Sequence, residues 1–416
     1  MFSKLALKSL LNRKGSVLLT LMAMTVSVFV LLGVEHIRHQ AKSSFANTVS
    51  GMDLIVGSRT GSLNLLLYSV FRIGSPTNNI DWDSYQDIAN NPKVKWAIPI
   101  TLGDSHKGYR VMGTTQEYFE HFSYGQQHPL AFKAGKPFEG MFDVVIGSDV
   151  AKKLGYSLGD NLVLAHGIAS TSFSLHDDLP FAVTGILKPT GTPVDQTLHV
   201  SLAGIEAIHV GWKQGVKIPG QQPSREELEQ LEKELHPASV TALMVGLTSR
   251  MATFHVQRNI NNYRKEPLMA ILPGVALSEL WQMMGILENT LLLISILVFA
   301  SSLLGLSAMQ LSSIRERERE IQLLRVVGAP PSFLFLLIEL EALLIAACSV
   351  LLGAGLLSLC LLIAKDVLVS EFGLHISMSI FSESSLYLVG IIIVASSIAA
   401  IIPSLNAYAK AKSVRH

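Results

Sequence analysis

Four stretches of the chain run through apolar residues without a single charge: 16–34, 289–309, 342–364 and 386–405. The shortest holds 19 residues, which at about 1.5 Å per residue spans roughly 30 Å, the thickness of a hydrocarbon core. Each is predicted to be a transmembrane helix. From about 36 to 280 the texture changes. Short strand-like words (MDLIVGS, KVKWAIPI, KGYRVMGT, FAVTGIL, TLHVSL) alternate there with turn signals. Ser224-x-x-Glu227 has the form of a capping box, and Leu228, Leu231 and Leu235 continue it as one helical stripe. A mixed α+β domain of two subdomains is expected between the first and second spans.

Charge orients these elements. Lys4, Lys8, Arg13 and Lys14 precede the first span, Arg315, Arg317, Arg319 and Arg325 follow the second, and Lys410, Lys412 and Arg415 follow the fourth. The stretch from Lys365 to Ser385 has one lysine against Asp366, Glu371 and Glu383. The positive-inside rule then puts both termini and the central loop in the cytoplasm and the α+β domain outside. Residues 2–14 place Lys4, Lys8 and Asn12 at spacing four with leucines elsewhere, as in a helix lying along the membrane surface. A cleaved signal peptide is disfavoured, because the apolar run is long and no Ala-x-Ala site follows it. The first run is read as a lasting anchor.

Ser312 to Ile338, SSIRERERE-IQLLRVVGAPP-SFLFLLI, holds the densest charge. Arg315, Glu316, Arg317, Glu318, Arg319 and Glu320 alternate in sign, so Arg315 with Glu318, or Glu316 with Arg319, can pair three apart. Six successive charges point all round a helix, and lipid cannot enclose them. Leu323, Leu324, Val326 and their neighbours then add apolar surface. Gly328 with Pro330 and Pro331 reads as a helix stop, and Ser332 as the cap of the next helix. Such a segment is either a solvated turn or a docking element for a soluble partner.

RERERE-I-x-LLR-x-x-GA, followed by an apolar helix carrying Glu341, resembles the coupling segment of MacB/FtsX/LolC-type (type VII) ABC transporter permeases. The words ALKSLLNRKGSVLLTLMAM, FEGMFDVVIGSDVAKKLGYSLGDNL and PSLNAYAKAKSV resemble the same family. The resemblance implies a MacB-like periplasmic domain, a bacterial inner-membrane location and a dimer of permeases. It also implies a separate cytoplasmic ABC ATPase that docks on Arg315, Glu316, Arg317, Glu318, Arg319, Glu320, Leu324 and Gly328. Glu341 matches the family's acidic position after that segment, which suggests a hydrogen bond between helices. The expected layout is an interfacial helix at 1–15, spans at 16–35, 281–311, 333–364 and 385–405, and a periplasmic domain at 36–280. A coupling segment at 312–332, an outer loop at 365–384 and a cytoplasmic tail at 406–416 complete it.

Composition adds three limits. With 49% of residues hydrophobic and 16% charged, the chain suits a membrane better than water, and a net charge of +1 gives no sign of a nucleic-acid partner. No G-x-x-x-x-G-K-[ST], G-x-S-x-G or H-E-x-x-H is present. This chain is therefore expected to be no enzyme and to bind no cofactor, with ATP and Mg²⁺ held by the partner ATPase. The two cysteines, Cys348 and Cys360, fall in one apolar run and are expected to be buried helix residues.

Polar residues in or near the spans are few. Glu288, Glu339 and Glu341 are expected to snorkel to the interface, with at least one of Glu339 and Glu341 facing protein. Ser301/Gly305 and Ser349/Gly353 are candidate close-packing pairs. Eleven of the thirteen histidines lie between His36 and His255. His166 and His176 with Asp177 offer imidazole and carboxylate, a zinc-like set, although their spacing fits no ligand motif.

The reading is a permease subunit that passes ATP-driven motion to its periplasmic domain, to extract or export a lipoprotein, peptide or small molecule. Its alternatives are an FtsX-like regulatory scaffold for a periplasmic partner and a zinc-linked transport component.

Overall fold

The computed structural model describes residues 6, 8–11, 13–48, 51–167, 176–213, 216–217, 223–231, 235–316, 323, 326, 328–372 and 382–413. They divide into two compact units, one holding the long apolar helices and the other centred on residues 42–283.

Among the described residues, four helices are long and apolar enough to cross a membrane: Lys14–Thr48, Pro273–Glu316, Pro331–Phe372 and Glu383–Ser413, and the first unit holds all of them except residues 42–48, 273–283 and 368–372. Each extends beyond its uncharged run, because charge does not end a helix; glycine and proline do. Pro273 and Pro331 open their helices at the first helical position, where a missing N–H is harmless. The third helix continues to Phe372, into the stretch read as an outer loop, since no glycine or proline intervenes before Gly373.

Packing within this unit separates the two small-residue pairs. Ser349 is buried, and a Cβ on Gly353 would stand 3.0 Å from Val28 Cγ1 and 3.2 Å from the Thr25 carbonyl. The first and third helices therefore meet at this pair. Gly305 has nothing within 4 Å of such a Cβ, and Ser301 is exposed. Cys348 and Cys360 are also exposed, on the helix surface that does not face other helices, contrary to the expectation of burial. Leu10 joins a cluster with Met24, Leu306, Ile345 and Ala400, so the N-terminal segment packs on helices through this side chain.

The second unit is built on an 11-stranded sheet. Its main path runs Leu268–Ile271, Leu54–Ser58, Ala242–Leu247, Val94–His106, Tyr109–Thr114, Thr197–Ser201, Asp143–Ile146, Phe181–Leu187, Phe132–Gly135. The pairs Thr197–Ser201 with Tyr109–Thr114 and Phe181–Leu187 with Asp143–Ile146 are parallel, and the others are antiparallel. Side chains alternate across the sheet. Leu54 and Val56 enter one core and Ile55 another; Val111 and Met112, or Val144 and Val145, divide likewise.

One face carries a single core that includes Ile55, Ile98, Met112, Tyr118 and Val145. The other face carries two cores, one under helices Leu202–His209 and Ser148–Leu154, the other under Trp82–Ala89 and Thr253–Asn261. The two expected subdomains are thus two helix-covered cores on one shared sheet, joined by the 13-residue strand Val94–His106.

The capping box forms: Ser224 Oγ accepts from the Glu227 N–H, and Glu227 Oε2 accepts from the Ser224 N–H at 2.7 Å. Its helix stops at Gln230, so Leu228 alone of the expected stripe is fully buried and Leu231 is exposed.

Candidate functional sites

The charged turn begins where the second long helix ends at Glu316. Ile314 is buried with Leu334, Ile338 and Ala407, which pins the helix end to its neighbours and leaves Arg315 and Glu316 exposed. Ser312 Oγ donates to Glu316 Oε1 at 3.3 Å. A cleft of about 260 Å³ opens beside them, lined in part by Arg13, Ser16, Met309, Ser312 and Glu316.

Leu323 and Val326 are 65% and 82% exposed. Gly328 takes φ +96°, the left-handed conformation that halts a helix. Pro331 rather than Ser332 then starts the next one. Arg317, Glu318, Arg319, Glu320 and Leu324 lie outside the described residues, and so do the Arg315–Glu318 and Glu316–Arg319 pairings.

Two acids in the third helix are buried rather than snorkelling. Glu341 Oε1 accepts from Ser9 Oγ, and Arg13 Nη2 lies 3.4 Å from Glu341 Oε2. Glu339 Oε2 accepts from Ser397 Oγ at 3.0 Å. A carboxylate can stay among helices when charge-assisted partners replace water. Here the N-terminal segment and the fourth helix supply them.

The α+β unit gathers side chains that are far apart in sequence. Asp104, His166, His176 and His209 each present a ligand-type atom, and these atoms all lie within 4.8 Å of one another. Between Leu102 and Ser105 the pairing of Val94–His106 with Tyr109–Thr114 shifts, so Gly103 and Asp104 bulge opposite Val111. On the other side of the bulge, His166 is the direct cross-strand partner of Asp104. His209 ends the helix Leu202–His209, and the His176 N–H donates to the Leu164 carbonyl at 3.0 Å.

His166 Nδ1 stands 3.2 Å from Asp104 Oδ1, and His209 Nε2 lies 3.6 Å from the same oxygen and 3.2 Å from His166 Nδ1. The three rings meet edge to face, with interplanar angles of 72° to 80°. Asp104 and His176 are 3% exposed, while the side chains of His166 and His209 keep 45% and 28% of their surface.

Burial alone would raise the Asp104 carboxyl; hydrogen bonds from His166 and His209 outweigh it and hold it at about 2. Burial depresses His176 to about 4, against the pull of Asp104. For His209 burial also pushes downward, but hydrogen bonding and charge at Asp104 leave it above its ordinary value.

His166 and His176 come together, but Asp177 is exposed and outside the group, and its place is taken by Asp104. Asp104 and His209 lie 62 and 43 residues from His166, beyond any spacing motif. One signal lies between the strand words KVKWAIPI and KGYRVMGT: Gly103, since a glycine within a strand marks a bulge, and bulges aim side chains. His106 is engaged elsewhere, with ring nitrogens 2.6 Å from the Val163 carbonyl and 2.9 Å from the Tyr156 hydroxyl.

Comparison with known proteins bears on both units. Residues 17–262 match the MacB-like periplasmic core domain, more than half of the chain, and residues 292–411 match the FtsX-like permease C-terminal model. No curated protein sequence matches. The periplasmic region of MacB from Actinobacillus actinomycetemcomitans is 10% identical, with 57% of this chain and 97% of that chain covered and a TM-score of 0.34. The extracellular domain of the noncanonic ABC-type transporter YknZ from Gram-positive bacteria is 13% identical, with coverage of 52% and 98% and a TM-score of 0.30.

Proposed function

This chain belongs to the family of MacB/FtsX-type ABC transporter permeases, and we propose that it relays ATP-driven motion from a separate ATPase to its outer α+β domain. Permeases of this family associate with an ABC ATPase and dimerise. In the proposed assembly the two copies are identical, and each docks one ATPase on residues 312–328. ATP and Mg²⁺ are bound by that partner, not by this chain. Both termini and the charged turn are cytoplasmic in the bacterial inner membrane, and residues 36–280 are periplasmic, as the lysine and arginine distribution favours. Motion of the ATPases moves the turns, shifts the population of outer-domain conformations, and so acts on a lipoprotein, peptide or small molecule held outside.

The observation that carries this reading is the surface of the turn. Exposed Arg315 and Glu316 extend a helix end that Ile314 anchors, and Leu323 and Val326 hold apolar surface out beyond it. Charge beside exposed apolar side chains suits a protein interface better than a solvated loop. The test is charge reversal at Arg317 and Arg319. The double variant should insert and accumulate normally, yet fail to stimulate ATP turnover by its ATPase. Unchanged turnover would remove the docking role.

A further inference from the structure

We propose that Asp104, His166, His176 and His209 form a binding site for one divalent transition-metal ion of the zinc class. A tetrahedral zinc site with bonds of about 2.0–2.1 Å separates its ligand atoms by roughly 3.4 Å. Asp104 Oδ1, His166 Nδ1 and His209 Nε2 are already 3.2, 3.2 and 3.6 Å apart, one triangular face of such a tetrahedron. His176 brings a nitrogen within 4.8 Å of all three. It completes the fourth corner with a small ring movement.

The surroundings prepare the ligands. His209 Nδ1 stands 2.7 Å from the Ile205 carbonyl and donates its proton there, so Nε2, which faces the group, is the nitrogen that gives up its proton when a metal binds. Asp104 sits in the bulge and His166 is its direct cross-strand partner, so sheet register fixes both. His176 is held through its backbone to Leu164.

The donor set selects the metal. Three imidazoles with a single carboxylate are too nitrogen-rich for Ca²⁺ or Mg²⁺, and no thiolate is present to favour Cu(I) or an iron–sulfur cluster. Four protein ligands fill a tetrahedral shell, so the site is closed and holds its ion rather than activating water. The exposed edges of His166 and His209 give the ion a way in. Once bound, it ties His166 and His176, which bracket residues 167–175, to the central strand and to the helix end at His209. The site lies wholly in the α+β unit, and it stands or falls independently of ATPase docking.

The test uses the full chain, purified in detergent, stripped with a chelator and titrated with Zn²⁺ and then Co²⁺. One ion per chain at micromolar free metal is expected, with the intense visible bands of tetrahedral Co²⁺. His166→Ala and His209→Ala should each weaken binding by about 100-fold or more, while His255→Ala, an exposed histidine elsewhere, should leave it unchanged. Thermal melts of the chelated variants show whether they stay folded. If a ligand variant does not, a cobalt spectrum of the unaltered chain with no tetrahedral bands overturns the proposal by itself. Failure of the unaltered chain to bind zinc at micromolar levels would overturn it too, as would undiminished binding by a folded His166→Ala/His209→Ala double variant.

Discussion

The charged turn and the histidine group are opposite kinds of candidate site. The turn is contiguous: every residue of it can be read in a single word of sequence, and its described residues Arg315, Glu316, Leu323 and Val326 are exposed. The histidine group is assembled from a bulge, a facing strand, a helix end and a residue after a long connection, and its character lies in what it brings together. A contiguous site survives almost any change elsewhere that leaves its helix ends in place. An assembled one depends on register, burial and distant partners, so its supports should be energetically costly to remove. The same contrast recurs throughout the molecule and can be tested where it is strongest.

The long-range pair in the helical unit should show the largest effect. Glu341 is tied to Ser9 and Arg13, more than 300 residues away in sequence, and both members of the ion pair are largely buried. Glu341→Ala leaves the guanidinium among apolar helices without its counter-charge, and breaking a buried pair on one side costs about 3–5 kcal/mol. Thermal or denaturant unfolding of the purified chain should show that loss. Replacing both Arg13 and Glu341 by apolar residues of similar size should recover much of it, because no orphaned charge remains. A double variant as unstable as Glu341→Ala would mean that the carboxylate acts through something other than the pair.

A second comparison sets two histidine environments against each other by pH. His199 is fully buried beneath Tyr118 and near Arg72; burial first, and the Arg72 charge second, hold it at about 3. The folded chain therefore keeps this ring neutral while the unfolded chain protonates it below about pH 6.5. Its contribution is full above that value and declines as pH falls, by about 1.4 kcal/mol per pH unit until about pH 3. Melting temperatures measured from pH 7 to 4.5 should fall less steeply in His199→Asn than in the unaltered chain. His255→Ala, at an exposed position, should leave the slope as it was. Equal slopes for the His199 variant and the unaltered chain would place a charge or water beside His199.

The same division explains what could be read from the sequence. The four spans were legible because the requirement for a membrane helix is local, namely 20 or so residues without charge. Their ends were not, because hydropathy reports what lipid tolerates whereas Pro273, Gly328 and the next breaker after Phe372 decide where helical hydrogen bonding stops. Strand words gave the α+β class. They could not give the sharing of one sheet by two cores, since that follows from the pairing of Val94–His106 with two different neighbours along its length. Of the histidine group, His166 and His176 are near enough in sequence to be read together, whereas Asp104 comes in through a strand bulge and His209 through a helix end. Asp177 adjoins His176 in sequence, yet the fold leaves it exposed and outside the group, and Asp104 supplies the carboxylate.

The small residues of the helical unit make a sharper version of the comparison. Gly353 and Gly305 sit in the same four-residue pattern with a serine, yet only Gly353 has the first helix within 3.2 Å of where its side chain would be. Gly353→Leu should overpack that contact and cost about 1–3 kcal/mol. Gly305→Leu should be neutral or slightly stabilising, because leucine favours helix more than glycine by under about 1 kcal/mol. Parallel melts of the two variants decide this. Equal destabilisation would show that a second copy of the chain packs on the Gly305 face.

The smallest effect belongs to the most local device. Ser224 and Glu227 satisfy each other's backbone N–H groups within four residues, and the helix they start is only six residues long. Ser224→Ala should cost about 1 kcal/mol, and hydrogen exchange should localise the loss to 225–230 rather than spread it through the sheet. Leu228 is the fully buried side chain of this short helix, so Leu228→Ala should cost more than loss of the cap, about 2–5 kcal/mol. That ordering separates a helix held by its own capping from one held by what it buries. If the cap variant were the more damaging of the two, the helix Arg225–Gln230 would be a local element that the core merely accommodates.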